Sequence, residues 1–342
     1  MTILKYGSMA ALCAIMSLIN LSVDNSALAS PIYPYYYEFK QFALLYNKTY
    51  STTAEFWHRY DIFVDNYNYI NAFNREETNT YFLEMNKFGD IARDEFKSIY
   101  LGYGKPYHNK LITPFALQNI HFYNPNDKVP DSVDWRANGL VTNVKDQKEC
   151  GSCWAFSAVA AMEGQHAKAT GNLVSLSEQN IVDCDSDCYG CGGGWPNHAI
   201  QYVINNSGID TQSSYPYTSV DDNCRYNESY SGATFSKIVN ILDNETHLQH
   251  ALATIGPISV AIDAKNDFQF YSRGIFTSQE CSPDSINHAV AIIGYGVSIH
   301  GDKYYIIKNS WGSDWGMNGY IYFNRDIPNM CGILEDTCYP VV

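Results

Sequence analysis

The chain has 342 residues, 46% of them hydrophobic, and a formal net charge of −14 at pH 7. That apolar content can bury one large core or two smaller ones. Residues 129–342 alone carry 24 Asp and Glu against 11 Lys and Arg, which argues against a nucleic-acid surface and suits an acidic compartment, where protonation relieves self-repulsion.

The first element in chain order is a secretory signal. Lys5 precedes an apolar run over residues 9–21, and Ala27-Leu28-Ala29 supplies a small-residue cleavage site, so residues 1–29 are expected to be removed. No later segment approaches eighteen consecutive apolar residues, so the mature product is expected to be soluble and without a membrane span. Secretion permits disulfides. Cys13 leaves with the signal, and nine cysteines remain, at 150, 153, 184, 188, 191, 224, 281, 331 and 338. Nine is odd, so at least one thiol stays unpaired or bonds to another chain. Asn47, Asn205, Asn227 and Asn244 each open an N-x-S/T triplet and are candidate glycosylation sites.

Residues 35–100 are rich in helix-compatible sequence. Glu55, Arg59, Phe63, Asn66, Ile70 and Asn74 recur at spacings of three and four, one side of an amphipathic helix, with Phe63 and Ile70 facing inward and Glu55–Arg59 an i,i+4 pair. NKFGDIARDEF at 86–96 predicts a turn into a further short helix. Residues 102–128 carry Gly102, Gly104, Pro106, Pro114 and Pro125 with little periodicity, which reads as an extended tether. A small helical unit over 30–128 is therefore tied to a separate domain over 129–342.

In that domain KDQKECGSCWAF (145–156) places Cys150 and Cys153 three positions apart. Three readings compete: a zinc clamp with the second C-x-x-C at Cys188 and Cys191, a redox pair, or one structural disulfide cysteine beside one nucleophile. The local pattern favours the third. Trp154, Ala158, Ala161 and Met162 recur at helical spacing, so a buried helix starts near Ser152, a residue type that caps helices. Cys153 then sits in its first turn, where the helix dipole and free N–H groups favour a thiolate. A thiol nucleophile needs a histidine to take its proton and a third group to orient that ring. His288 opens the apolar run INHAVAIIGYG (286–296), a buried strand ending in a glycine-rich turn. A second strand, YYIIKNSWG (304–312), follows at hairpin distance and carries Asn309 beside Trp311. Most other histidines, His247 and His250 among them, sit among polar residues and read as solvated.

CGSCWAF, NHAVAIIGYG and KNSWGSDWG resemble the papain family of cysteine proteases. The six spaced residues from Glu55 to Asn74 resemble the helix motif of cathepsin L-type propeptides, and Asn86, Phe88 and Asp90 its second motif, with Glu84 where glycine is usual. The resemblance implies an α+β fold: a helical left subdomain, an antiparallel β-barrel-like right subdomain, a cleft between them and a helical inhibitory propeptide ahead. It implies a thiol endopeptidase made as a zymogen, with Cys153 the nucleophile, His288 the general base and acid, Asn309 its orienter, Trp311 a shield and Gln147 an oxyanion donor. Lys148 stands where the family has glycine, and strains the loop if that position needs positive φ.

The resemblance also implies disulfides Cys150–Cys191, Cys184–Cys224 and Cys281–Cys331. Cys188 and Cys338 lie outside the usual set and are open to pair with each other, or Cys188 to compete for Cys150. Gly193 and Gly194 would line the cleft. Trp195, Pro196, Ala261, Ile286, Ala289 and Asp336 would surround the pocket for the residue second from the cleavage site, which favours Leu, Val or an aromatic and, through Asp336, arginine. Protein and peptide substrates, the chain's own propeptide and cystatin-type inhibitors are the implied partners of a monomer that uses no cofactor or metal. Its implied location is the lysosome, endosome or extracellular space, digestive lumen included. The competing reading is a papain-fold scaffold that binds without catalysis.

Overall fold

The structure is a computed structural model that describes residues 33–104, 119–278 and 280–342. The expected signal peptide and residues 105–118 of the tether lie outside the described residues. The chain forms two compact units, one up to Phe56 and one over Trp57–Val342.

In the first unit, helix α1 (Tyr36–Leu45) buries Phe39 and Phe42. Phe39 stacks on Tyr50 and meets Phe56 edge-on, so an aromatic knot takes the place of a larger core. Helix α2 (Thr53–Asn74), which belongs to the second unit from Trp57 on, is the long amphipathic element expected from the spacing, and buries Phe63, Asn66 and Ile70.

The second unit continues with β1 (Tyr81–Leu83), α3 (Arg93–Tyr100), β2 (Val133–Asp134), α4 (Cys153–Thr170), α5 (Glu178–Cys184) and α6 (Pro196–Asn205). Then come β3 (Ile209–Asp210), β4 (Ser231–Ala233), β5 (Lys237–Asn240), α7 (Glu245–Thr254), β6 (Ile258–Ile262) and β7 (Tyr271–Phe276). The chain ends with β8 (His288–Val297), β9 (Lys303–Lys308), β10 (Tyr320–Asn324) and β11 (Thr337–Val341). The main sheet runs β1-β7-β10-β9-β8-β6-β11-β5, with β2 on β8. Its pairs are antiparallel except β10 with β7.

Two cores result. One packs Trp154, Ala158, Val159 and Met162 of α4 against Ile181 of α5 and Ala199, Ile200 and Val203 of α6. The other fills the sheet with Phe268, Phe270, Ile292, Ile307, Trp311 and Trp315. Each large apolar side chain so buried contributes roughly 1.5–3 kcal/mol relative to exposure. Helix α4 is hydrophobic nearly all round because it packs on β8, β6 and β11 as well as on α5 and α6. The α+β architecture of a helical and a β subdomain is thus present.

The β8–β9 hairpin forms, but its glycines do not make the turn. Gly294 and Gly296 remain inside β8, and the chain turns at residues 298–301. Gly294 is needed for close approach: a Cβ there would lie 2.1 Å from the Val133 carbonyl oxygen where β2 pairs with β8.

Candidate active site

Cys153 is the first residue of α4 and is fully buried. Ser152 does not cap the helix with its side chain as expected. Its hydroxyl instead shares a 2.7 Å hydrogen bond with the Tyr217 hydroxyl. Disulfides join Cys150 to Cys191, Cys184 to Cys224 and Cys281 to Cys331, and Cys153 is in none of them. With Cys150 bonded to Cys191, neither C-x-x-C can act as a zinc clamp or as a redox pair. The 188–338 pairing is a correction: both residues are buried free thiols, each pushed up by burial. Cys188 packs under Gly194 and beside Asp185, while Cys338 lies in strand β11 near Ser259.

His288 begins β8 and Asn309 follows β9, so the hairpin brings them together. His288 Nε2 lies 2.9 Å from Asn309 Oδ1, and His288 Nδ1 has no hydrogen-bond partner. Trp311 stacks on the imidazole with centroids 4.7 Å apart, and Phe268 meets the ring edge-on. Burial holds the imidazole down to about 4, against a smaller upward pull from Asn309.

Gln147 is fully buried and held at both ends. Its backbone N–H donates to the Ser310 carbonyl at 2.8 Å, and the Ser310 hydroxyl donates to Gln147 Oε1 at 2.7 Å, which fixes the amide orientation. Its Nε2 donates to the Cys150 carbonyl at 2.8 Å and to the Tyr100 carbonyl at 2.9 Å. Lys148 has φ of 51°, so the expected strain is present, about 1 kcal/mol for a non-glycine in the left-handed region. Its N–H is caught by Asp146 Oδ1 at 2.9 Å.

The N-terminal segment lies over these groups. Asn66 donates to the carbonyls of Gly89 and Ile91, and Asn74 exchanges two hydrogen bonds with the backbone of Leu83. Those amides hold the 83–91 loop so that Phe88 meets Trp311 edge-on at 5.8 Å, with Phe96 at 5.0 Å. Arg59 makes two hydrogen bonds to Glu95, at 2.6 and 2.8 Å, and holds that carboxyl below its ordinary range. Lys87 bridges Asp146 and Asp314. Glu84 is exposed and accepts from the Ser272 hydroxyl at 2.7 Å, so a side chain is tolerated where glycine is usual.

After α3 the chain runs extended. The Gly194 N–H donates to the Gly102 carbonyl at 2.9 Å, and the Gly104 N–H to the Gly194 carbonyl at 3.1 Å. Gly194 must lack a side chain, since a Cβ there would sit 2.7 Å from Cys188 Sγ. Tyr103 donates its N–H to the Asn287 carbonyl and its hydroxyl to Asp336 Oδ2 at 2.7 Å. The half-buried Asp336 carboxyl is pushed up by desolvation. Gly193, Gly194 and Trp195 form the loop ahead of α6, which Pro196 opens. Ala261 and Ala289 face each other across β6 and β8, and Ala261 N–H donates to the Asp336 carbonyl, while Ile286 lies just before Asn287. Sequence reading missed Tyr100, Tyr103, Tyr217 and Ser310. Only Tyr103, in a Gly-x-Gly frame inside the tether, carried a signal: a bulky side chain between residues that let the backbone approach.

The papain family cysteine protease model matches residues 129–341, and the cathepsin propeptide inhibitor domain model matches residues 39–96. The chain belongs to the papain family. The protease is 42% identical over 314 residues to a cathepsin L-like peptidase of Aedes aegypti, covering 89% of this chain and 93% of that one. It is 43% identical over 307 residues to digestive cysteine proteinase 3 of Homarus americanus, covering 88% and 93%. Among solved structures it resembles digestive procathepsin L2 from the larval midgut of Tenebrio molitor, with a TM-score of 0.83, 35% identity and coverage of 90% and 99%. It is a cathepsin L-like cysteine protease carrying its propeptide. Among the described residues no helix is long and apolar enough to cross a membrane.

Proposed function

We propose an acid-activated endopeptidase in which Cys153, His288, Asn309 and Gln147 carry the reaction. One observation supports it above the others: His288 commits Nε2 to Asn309 beneath a stacked tryptophan and keeps Nδ1 uncommitted. Nδ1 takes the proton of the Cys153 thiol, and the thiolate attacks the scissile carbonyl carbon. The oxyanion is held by Gln147 Nε2 and the Cys153 backbone N–H. His288 then gives its proton to the leaving amine, and water, deprotonated by the same ring, hydrolyses the thioester.

The protein is proposed to have a signal peptide over residues 1–29, a propeptide over 30–128 and a catalytic domain over 129–342. Burial keeps His288 neutral in the precursor, and wherever departure of the propeptide readmits water the ring's basicity rises towards its ordinary 6.5. Asn47, Asn205, Asn227 and Asn244 are all exposed, as glycosylation requires. The Asn244 and Asn227 side-chain oxygens cap short helices, which leaves the amide nitrogens for a glycan. An endolysosome or a digestive lumen fits the acidic charge and the mechanism, and the mature protein is read as a monomer sensitive to cystatin-type inhibitors.

Tyr103 supports a finer reading of substrate choice. Its hydroxyl on Asp336 suggests that the pocket for the second residue takes apolar and aromatic side chains and adds a hydrogen bond for tyrosine, with arginine the charged alternative. The test uses acid-matured protein under thiol reductant at about pH 5, with peptide amides carrying Leu, Phe, Tyr or Arg at that position. Hydrolysis abolished by iodoacetamide is expected, with tyrosine preferred over phenylalanine about fivefold, the worth of one hydrogen bond. Asp336→Ala should bring that ratio near one. Unchanged Tyr/Phe and Arg/Leu ratios would remove Asp336 from substrate choice, and activity indifferent to alkylation would remove the thiol mechanism.

A further inference from the structure

The two proposed oxyanion donors, Gln147 and Cys153, lie at the two ends of the loop that enters α4, and a single hydroxyl ties those ends. Tyr217 Oη donates to the Gln147 carbonyl at 2.8 Å and meets Ser152 Oγ at 2.7 Å, so the serine is the donor of that second bond. Ser152 immediately precedes Cys153, and its hydroxyl makes no helix cap. The Tyr217 ring is fixed edge-on against Phe156 at 4.9 Å, and the next residue, Thr218, donates its N–H to Gln179 Oε1. The carbonyl that Tyr217 holds belongs to the peptide unit entering Lys148, whose φ of 51° favours relaxation elsewhere. We propose that Tyr217 is a positioning residue that sets the separation of Gln147 Nε2 and the Cys153 N–H. This inference rests on the proposed oxyanion role of Gln147.

The test compares reactions that do and do not build an oxyanion. In acid-matured Tyr217→Phe, kcat should fall about tenfold with KM within twofold, and a peptide aldehyde should bind about tenfold more weakly. Alkylation of Cys153 by iodoacetamide, which forms no oxyanion, should keep its rate. Ser152→Ala breaks the other arm without touching the aromatic packing and should show the same split, which keeps the test alive if Tyr217→Phe misfolds. Equal losses in alkylation and hydrolysis, or unchanged kcat in both variants, overturn the proposal. Were Gln147→Ala itself without effect, the oxyanion assignment would fail first.

A second, independent cluster lies at the other end of the propeptide. Residues 119–121 run beside β5: the Asn240 N–H donates to the Asn119 carbonyl and the His121 N–H to the Asn240 carbonyl. His121 is buried, with Nδ1 3.0 Å from the Tyr339 hydroxyl of β11 and Nε2 2.8 Å from His250 Nδ1 of α7. His250 Nε2 reaches Asp127 Oδ2 at 3.0 Å, and Tyr123 stacks on His247 and meets His250 edge-on. Two imidazoles sharing one bridging proton can carry at most one charge without losing a hydrogen bond. We infer that this histidine pair is an acid-opened clasp that holds the end of the propeptide. The reading of these histidines as solvated is thereby corrected for His250.

Burial, then His250 and His247, hold His121 down to about 4. A released His121 titrates near 6.5, so the closed clasp is fully stable above 6.5 and weakens about tenfold per pH unit as pH falls to 4. Glu95, held down by Arg59, behaves differently: its tie persists until pH drops below the ordinary carboxylate range. The clasp therefore opens first. Amide hydrogen exchange of residues 119–127, corrected for intrinsic rates, should show protection falling about tenfold per unit between pH 6.5 and 4 in the Cys153→Ser zymogen. Adding His121→Phe should flatten that slope. His121→Gln keeps a hydrogen-bonding side chain without a titrating ring and should also be flat, even if the phenylalanine variant fails to close. A slope unchanged by both substitutions, or absent from the parent, overturns the clasp.

Discussion

Cys153→Ser is expected to lower kcat/KM by about 10⁴-fold or more, because a serine hydroxyl at this position is a far poorer source of anion than a thiol. The substitution is nearly isosteric at a fully buried site, so the fold should survive. The measurement is hydrolysis of a Leu-Arg amide at about pH 5 by zymogen matured with an added protease. The unprocessed variant should also accumulate, since it cannot cut itself. A variant retaining activity within tenfold of the parent would require a different nucleophile and favour the binding-scaffold reading.

Gln147→Ala should produce two effects of different size from one atom. In the mature enzyme the loss of an oxyanion donor lowers kcat by roughly 10²–10³-fold. In the zymogen the same Nε2 holds the Tyr100 carbonyl at 2.9 Å, so the propeptide loses one neutral hydrogen bond. That is worth about 0.5–1.5 kcal/mol, or a severalfold weaker inhibition by the propeptide added in trans. The two readouts are an amide hydrolysis assay and a propeptide inhibition curve on the same variant. Equal effects on both would mean that the substitution disturbs the loop as a whole. No effect on kcat would remove Gln147 from the reaction.

Much of this site was legible before any coordinates, because its residue types are chemically demanding and locally framed. Cys153 sat at a helix start, and His288 and Asn309 sat on two strands at hairpin distance, so the hairpin alone brings His288 to Asn309. The propeptide helix was legible from its spacing. The logic of its polar members was not: Asn66 and Asn74 satisfy a loop 9 to 25 residues away, which no local pattern encodes. Tyr217 and Ser310 were invisible for the same reason, being common residues whose roles come only from long-range contact. The failed expectation of a Cys188–Cys338 bond has a related cause, since counting cysteines constrains parity but not geometry. The Ser152 cap failed because a hydroxyl with two possible partners follows the tertiary one.

The pairing of β1 with β7 carries a final consequence for the lifetime of the enzyme. Tyr81, Phe82 and Leu83 of the propeptide are the outermost strand of the main sheet, laid along residues 271–274. Maturation strips that strand, and β7 becomes a border with backbone donors and acceptors turned to water. Such a border is a template for any extended chain, including another molecule's. Gly274 at positive φ twists it, and Arg273, relieved of its place over the Phe82 ring, lends it a charge. The active enzyme thus starts life with an open seam that its precursor never shows, and crowding at neutral pH should shorten its useful span more than that of the zymogen.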